Sequence, residues 1–255
     1  MQERVLITGG GGGLGGALAR EYLARGARVA VADLPQQLDA VDPGMSRFAC
    51  DVRDGAAVAA LVDAVEGELG PLTGVVANAG VPGGGGIDAP DEVWALAWEV
   101  NVMAHVHLAR AVVPRMLARG GGQFVSVASA AGLLTNLGNA PYTTTKHAAV
   151  AFAEWLAITH GDDGLDVRLV APMGIETPML QAGQGTLAGE SVRALGVIDA
   201  AEAARRVLDG LHGEEFLVLT HPETAQFEAA RTSDRDTWLV GMRRAQAALV
   251  RQLFR

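Results

Sequence analysis

The sequence predicts a single α/β domain over residues 1–255, with a doubly wound parallel sheet flanked by helices on both faces. Short apolar runs alternate with amphipathic segments along the chain, which is typical of this fold class. A run of glycines follows the first apolar run directly, as at the first turn of such sheets. With 255 residues, 49% of them hydrophobic, and no internal repeat or linker, the chain is long enough for one large core.

The elements follow from hydrophobic periodicity, taken in chain order. Short apolar runs bounded by turn or polar residues predict strands at Arg4–Thr8, Ala27–Ala32, Arg47–Cys50, Gly74–Ala77, Gln123–Val127, Asp166–Val170 and Phe216–Leu219. Apolar residues at helical spacing predict a first helix through Leu14, Ala17, Leu18 and Tyr22, and a second through Val58, Leu61, Val62 and Val65. Asp54 is placed to cap the second helix. A long helix is expected from about Asp91 to Leu117, and another after residue 140.

The glycine run Gly9–Gly16 lies between the first strand and the first helix. Free backbone N–H groups and the positive end of the helix dipole would face an anion there, so the sequence predicts a phosphate cradle. The alternative, a flexible linker, is not expected between a strand and an amphipathic helix.

Asp33 ends the second strand, 18 residues beyond Gly15. A carboxylate at this place can accept hydrogen bonds from both hydroxyls of an adenosine ribose and would repel a 2′-phosphate. Neither Leu34, Pro35 nor the glycine run supplies a compensating cation. The pattern therefore favours NAD over NADP, the alternative being a capping or turn aspartate.

Tyr142 and Lys146 are four residues apart, which places a phenol and an ammonium on one face of a helix. A nearby cation favours the phenolate, so such a tyrosine can act as a general base. Alone, most pairs of this kind are solvated helix faces, and the interpretation depends on the rest of the chain.

From Val5 to about Leu219 the sequence resembles the short-chain dehydrogenase/reductase superfamily. The family's Thr-Gly-x-x-x-Gly-x-Gly motif matches Thr8, Gly9, Gly13 and Gly15, and its Asn-Ala-Gly motif begins at Asn78. Its catalytic tetrad matches Asn101, Ser129, Tyr142 and Lys146, with the serine 13 residues before the tyrosine. The resemblance implies a Rossmann fold and hydride transfer between NAD and a secondary alcohol or ketone.

The resemblance also implies a role for each member of the tetrad. Tyr142 would be the general acid/base. Lys146 would hold the nicotinamide ribose and lower the pKa of the tyrosine, and Ser129 would donate a hydrogen bond to the reacting oxygen. Asn101 would anchor a water that connects Lys146 to solvent.

The cofactor would contact residues at the ends of several strands. By resemblance these are Gly9, Gly13, Leu14, Gly15, Asp33, Leu34, Asp51, Val52, Asn78, Gly80, Tyr142, Lys146, Pro172, Ile175 and Thr177. One residue departs from the family pattern, since Met173 follows Pro172 where the family has glycine. The methionine either shapes the floor of the pocket or serves packing.

The substrate pocket is expected between the segment after Ser129 and a lid at about residues 179–197. The pocket segment supplies Leu133, Leu134, Thr135, Leu137 and Asn139. Both stretches are mostly apolar, which predicts an uncharged or weakly polar substrate. Arg193 is expected to be a solvated lid residue rather than the partner of a substrate carboxylate.

Three other functions are compatible with parts of the sequence pattern. A non-catalytic NAD-binding regulatory or scaffold protein is the main alternative, and the intact tetrad argues against it. A lyase or epimerase of the extended branch would need a further substrate domain beyond Leu219. An enoyl reductase normally has a wider spacing between its tyrosine and lysine.

Composition restricts the partners. The net charge of −9, without a basic stripe, disfavours nucleic-acid binding. The sequence shows no membrane-length apolar stretch and no targeting segment, and its one cysteine fits a reducing compartment, so a cytoplasmic location is expected. His105 and His107 point to different faces of a helix, and no metal site is expected.

A homo-oligomer, either a dimer or a tetramer, is expected from the apolar helices. Trp94, Trp98 and Trp155 lie on the two helices that resemble the family's oligomer-forming pair. A tail at residues 221–255 is long for a chain end and is expected to cover either a neighbouring subunit or the chain's own lid.

Overall fold

Seven parallel strands form the central sheet of the computed structural model, which describes residues 2–253. The strands are β1 (Arg4–Thr8), β2 (Arg28–Asp33), β3 (Ser46–Ala49), β4 (Gly74–Ala77), β5 (Gly122–Val127), β6 (Leu165–Val170) and β9 (Leu217–Val218), in the spatial order β3-β2-β1-β4-β5-β6-β9. All neighbouring pairs are parallel. The chain moves outward from β1 to β3, crosses back to β4 and then moves the other way. The point of reversal lies between β1 and β4, where doubly wound sheets bind their ligands. The predicted fold class is confirmed.

Helices cover both faces of this sheet. The principal ones are α1 (Gly13–Ala24), α2 (Gly55–Leu69), α3 (Asp91–Trp98), α4 (Ala104–Ala118), α6 (Ala140–His160) and α9 (Ala200–Leu211), with a single short turn at α5 (Ala130–Leu133). One core lies between the sheet and α2, α4 and α6, and a second lies between the sheet and α1 and α9. Leu6 and Ile7 of β1 are both fully buried, one in each core. Because both faces are covered, the central strands β1 and β4 are nearly continuous runs of buried residues.

The predicted helical stripes are buried as expected. Val58, Leu61, Val62 and Val65 of α2 all lie in the first core. The carboxylate of Asp54 accepts hydrogen bonds from the backbone N–H groups of Ala56 at 2.8 Å and Ala57 at 3.1 Å. The predicted cap of α2 is therefore confirmed.

The long helix predicted from Asp91 to Leu117 is interrupted. Between α3 and α4, Glu99–Met103 form a π-helical turn. One additional residue in the turn shifts the register of the hydrogen-bond ladder, which apolar periodicity does not reveal. Asn101 lies within this turn and is fully buried.

A segment of four short elements, here called the β7–β8 segment, follows β6 at residues 174–199. It consists of β7 (Gly174–Glu176), α7 (Pro178–Ala182), α8 (Leu187–Arg193) and β8 (Val197–Asp199), and β7 pairs in parallel with β8. The hydroxyls of Thr177 and Thr186 cap α7 and α8. These short helices and the strand pair are not evident from periodicity.

The chain ends in two further helices, α10 (Glu223–Ser233) and α11 (Arg235–Leu253). The second packs against α8 of the same chain, so this part of the tail lies over the β7–β8 segment. The preceding strand β9 is shorter than the predicted Phe216–Leu219, since only Leu217 and Val218 pair with β6 at this edge of the sheet. Within residues 2–253, no helix is both long and apolar enough to cross a membrane.

Candidate active site

The glycine turn between β1 and α1 is held against the end of β4. The side-chain amide of Asn78 donates to the carbonyl oxygens of Thr8 and Gly9, both at 3.0 Å. A Cβ atom on Gly15 would lie 2.2 Å from the Gly9 oxygen and 2.3 Å from Nδ2 of Asn78. No side chain fits there, so the turn requires glycine at position 15.

The opposite side of this turn is open. A Cβ atom on Gly12 would have no atom within 4 Å, and no side chain caps the N-terminus of α1. Gly13 has a φ of +53° and faces the methyl group of Thr177, 3.6 Å from where its Cβ would lie. The first-turn amides of α1 and the Thr177 side chain therefore border one open space, suited to an anion.

Asp33 lies beside the turn with both carboxylate oxygens held by the backbone. Oδ2 accepts from the N–H group of Gly11 at 2.9 Å, and Oδ1 accepts from that of Leu34 at 2.8 Å. The Leu34 side chain is exposed, and Gln37 lies against Gly11. The carboxylate is thus fixed at the edge of the open space, as a ribose ligand would need to be.

Asp51 and Val52, predicted to contact the cofactor, differ in their surroundings. Val52 is buried in the first core. Both carboxylate oxygens of Asp51 receive hydrogen bonds from Arg53, whose guanidinium lowers the pKa of that carboxyl. Asp51 is therefore already paired within the chain.

Asn101 joins the π-helical turn to the chain after β4. Its Oδ1 accepts from the N–H group of Val81 at 2.9 Å, and its Nδ2 donates to the Val81 carbonyl and to Oγ1 of Thr145, both at 3.1 Å. A Cβ atom on Gly80 would lie 3.3 Å from Oδ1 of Asn101 and 3.6 Å from Nζ of Lys146. The structure thus brings Asn101, Gly80 and Lys146 together.

Ser129 lies just beyond β5 and hydrogen-bonds to the phenol of Tyr142. Its hydroxyl also accepts from the N–H group of Ala131 at 3.1 Å and lies 3.4 Å from the Pro172 carbonyl. Burial raises the pKa of Tyr142, and the Ser129 hydrogen bond lowers it in part. The net direction is opposite to the lowered pKa expected from Lys146, because desolvation of the phenolate outweighs the favourable interactions.

Lys146 is almost completely buried, with 3% of its surface exposed. Its Nζ donates to the Val127 carbonyl at 3.1 Å and lies 5.7 Å from the centre of the Tyr142 ring. Burial lowers the pKa of the ammonium to about 8. Desolvation therefore disfavours the charged form of both the lysine and the tyrosine relative to the neutral form.

The segment after β6 closes the site beside Ser129. Pro172 contacts Ser129 through its carbonyl, and Ile175 is buried in β7. Met173 does not form the floor of this site. Its N–H group donates to Oγ1 of Thr220 at 3.3 Å, and its sulfur accepts from Oγ1 of Thr224, so the side chain packs toward the C-terminal helices.

Two positions that sequence reasoning did not single out support the tetrad. Thr145, between Tyr142 and Lys146 in sequence, is buried, and its hydroxyl accepts a hydrogen bond from the side-chain amide of Asn101. The carbonyl oxygen of Val127 accepts a hydrogen bond from Lys146. A hydroxyl between the tyrosine and the lysine was the available signal for Thr145. No sequence pattern identifies a backbone carbonyl as an acceptor.

Other polar residues serve the scaffold. His105 is buried against the hydroxyl of Ser126 at 3.0 Å, and burial lowers the pKa of its imidazole to about 3. Arg193 is partly exposed and is not free, because it pairs with Glu176 at 3.1 Å. In the described part of the chain, no three His, Cys, Asp or Glu side chains are grouped so that they could hold a metal ion.

Comparison with known proteins identifies the family. The profile described as short chain dehydrogenase matches residues 3–186. The chain is 32% identical over 230 residues to a 1-deoxy-11-beta-hydroxypentalenate dehydrogenase of Streptomyces avermitilis, covering 86% of this chain and 84% of that one. The chain therefore belongs to the short-chain dehydrogenase/reductase family, a family of nicotinamide-dependent oxidoreductases.

Solved structures agree with this assignment. A short chain dehydrogenase/reductase from Burkholderia phymatum in complex with NAD is 27% identical and superposes with a TM-score of 0.82, covering 92% of this chain and 95% of that one. A short chain dehydrogenase from Burkholderia cenocepacia in complex with NADP has the same fold, with 23% identity, a TM-score of 0.80, and 93% and 97% of the two chains covered. Structures of this fold thus hold either dinucleotide.

The hydrogen bond between Ser129 and Tyr142 should affect the pKa of the Tyr142 phenol. The chain has two tyrosines, so a Tyr22→Phe background leaves Tyr142 as the only phenol. We expect its phenolate absorbance to appear above the ordinary pKa of about 10. Ser129→Ala should raise that pKa further, because it removes the interaction that favours the phenolate. Thr144→Ala, at an exposed position of the same helix, is the control and should leave the titration unchanged. An unshifted titration in Ser129→Ala would contradict the contact.

Proposed function

We propose that this protein is an NAD-dependent oxidoreductase that interconverts a secondary alcohol and a ketone, with Tyr142 as the general acid/base. The observation that carries the proposal is the convergence of three groups. The Ser129 hydroxyl bonds to the Tyr142 phenol, and the buried Lys146 ammonium lies 5.7 Å from the ring of that phenol. A proton donor or acceptor, a hydrogen-bond donor and a fixed cation are the groups that alcohol oxidation requires.

The residues around the open space fit a nicotinamide dinucleotide. The uncapped N-terminus of α1 and Thr177 suit its phosphates. Gly9 and Gly15 lack the Cβ atom that would collide with neighbouring backbone in the turn. Asp33, already fixed by two backbone amides, would accept from the ribose hydroxyls and repel a 2′-phosphate. When bound, the dinucleotide supplies the hydride acceptor or donor.

Each residue of the tetrad then has a defined task. In the oxidative direction, Tyr142 as phenolate accepts the hydroxyl proton of the substrate as the C–H bond gives up its hydride. Ser129 donates a hydrogen bond to the same oxygen and holds it beside the phenol. Lys146 stabilises the phenolate through its charge and binds the nicotinamide ribose with the N–H groups that Val127 leaves free. Asn101 holds two neighbours of Lys146 in place by hydrogen bonds, the side chain of Thr145 and the backbone at Val81.

An apolar substrate fits the groups beside the tetrad. The amide of Asn139 is used within the chain, since Nδ2 donates to the Pro82 carbonyl and Oδ1 accepts from the N–H group of Tyr142. The amide nitrogen of Asn136 is held by Ala188 and Ser191 of α8, and Arg193 is paired. The β7–β8 segment would act as the lid over this pocket. Few polar groups remain to recognise a charged substrate, so we propose an uncharged or weakly polar alcohol or ketone.

The same proposal includes a homo-oligomer in the cytoplasm. Four large apolar side chains are exposed on the adjoining helices α3 and α6, namely Leu96, Trp98, Trp155 and Ile158. Ile158 is 85% exposed and Trp155 is 55% exposed, which favours burial against another subunit. A dimer or tetramer would bury them.

Asp33 makes a prediction for cofactor choice. The unmodified protein should bind NAD more tightly than NADP, and Asp33→Ala should narrow that difference by removing the repulsion of the 2′-phosphate. Calorimetric titration with each dinucleotide measures both affinities. Asp39→Ala, an exposed aspartate beyond the 3₁₀ turn at Pro35–Gln37, is the matched control and should keep the wild-type preference. Equal or tighter binding of NADP by the unmodified protein would overturn the choice of NAD.

Tyr142→Phe tests the proposed chemistry. The change keeps the ring and removes the oxygen that transfers the proton, so turnover should fall by about a hundred- to ten-thousand-fold with little change in NAD affinity. Lys146→Met should reduce both, because it also removes the ribose contact. The assay follows nicotinamide reduction over a panel of secondary alcohols, diols, hydroxysteroids and hydroxyacyl thioesters.

The control for this experiment is the same substitution at the other tyrosine. Tyr22 is a buried residue of α1 in the second core, and Tyr22→Phe should keep near-normal turnover. If Tyr142→Phe also retained near-normal turnover, Tyr142 would not be the acid/base.

A further inference from the structure

The C-terminal helices α10 and α11, here called the C-terminal pair, contact the body of the protein at places that the proposed reaction does not use. Nη2 of Arg231, on α10, lies 3.3 Å from Nε2 of His147 on α6. Near the start of α10, Oγ1 of Thr224 donates to the sulfur of Met173. The second helix, α11, packs against α8. The pair therefore links the active-site helix α6 to the β7–β8 segment.

The two hydrogen bonds of the His147 ring determine its protonation state. The carbonyl of Thr143 can only accept, so Nδ1 of His147, 2.9 Å away, must carry a hydrogen. A guanidinium can only donate, so Nε2 must offer its lone pair to Arg231. While both bonds are made, His147 is the neutral tautomer with its hydrogen on Nδ1.

A second proton on His147 is incompatible with this contact. It would turn the Nε2 acceptor into a donor and place an imidazolium against a guanidinium. Burial and the charge of Arg235 already lower the pKa of Arg231, and Glu228 raises it. Imidazoles in general exchange their proton between about pH 5 and 8, so a contact of this kind can be switched in that range.

We propose that Arg231 and His147 form a proton-gated fastening that holds the C-terminal pair on α6. With His147 neutral, α10 is docked and α11 restrains α8. With His147 charged, α10 is released at Arg231, and the β7–β8 segment loses that restraint. Arg231 is a positioning residue in this scheme, since it acts on the segment over the pocket through the helices that carry it.

A second histidine beside the pair must be separated from this effect. His221 lies two residues before the start of α10 and is buried. Its Nδ1 is 2.9 Å from Oγ1 of Thr220, and its Nε2 has no partner within residues 2–253. Burial, followed by the charge of Arg206, lowers the pKa of His221. Proton uptake at His221 would be a different switch, and the variants below distinguish the two.

Amide hydrogen exchange of the whole protein, corrected for the intrinsic effect of pH, tests the fastening at pH 8 and pH 6. Protection of α10 and α8 should fall by about fourfold at pH 6 in the unmodified protein, because an undocked imidazole with the ordinary pKa of about 6.5 favours the released state by no more than this factor at pH 6. In His147→Gln the amide oxygen can still accept from Arg231 but takes up no proton, so protection should stay high at both pH values. In His147→Lys a fixed charge faces Arg231, and protection should be low at both.

Two histidine variants are the controls. His160→Gln changes a histidine on the same helix whose Nδ1 lies 3.7 Å from Asp163, and His221→Gln changes the buried one. Both should keep the pH response of the unmodified protein. The proposal is overturned if the unmodified protein is equally protected at both pH values, if His147→Gln still loses protection at pH 6, or if His221→Gln abolishes the response. No substrate or dinucleotide is needed, so the result is independent of the proposed activity.

Discussion

The site depends on the close approach of two backbone turns, one after β1 and one after β4. Asn78 ties them with two hydrogen bonds to the Thr8 and Gly9 carbonyls, and the Thr8 hydroxyl accepts from the backbone N–H groups of Asn78 and Ala79. The approach is possible only because Gly15 has no side chain at the point of contact. The glycine turn after β1 and the chain leading to Gly80 are thereby held on one base. Since the strand order reverses between β1 and β4, the space above this base is free for a ligand.

The second consequence of the fold is electrostatic. Lys146 and Tyr142 are both desolvated, and burial moves the pKa of each toward its neutral form. The charged ammonium stabilises the phenolate, and the phenolate in turn stabilises the charged ammonium. The two protonation equilibria are therefore coupled. His105, neutral beneath them, adds no competing positive charge. Lys146 therefore supplies the buried positive charge near the phenol.

Local patterns in the sequence were sufficient for the fold and for selecting Asn101, Gly80 and Lys146, which the structure brings together. The strand runs, the α2 stripe and the Asp54 cap depend on neighbouring residues, and the structure has them where they were predicted. The π-helical turn at Asn101 could not be predicted, because one additional residue in a helical turn leaves the apolar period nearly unchanged. The raised pKa of Tyr142 depends on how deeply the fold buries the phenol. The contacts of Met173 and Arg231 could not be predicted for another reason, since their partners Thr224 and His147 are distant in sequence.

The most direct test of this account compares two glycines of the same turn by thermal unfolding. Gly15→Ala forces a methyl group onto the Gly9 carbonyl, and we expect a loss of about 3 kcal/mol or more, which lowers Tm by about 6–12 °C. Gly12→Ala adds its methyl group to open space from an extended backbone, and Tm should stay within about 2 °C of the unmodified protein. Equal Tm values for the two variants would show that the turns after β1 and β4 are not in the close contact on which the site depends.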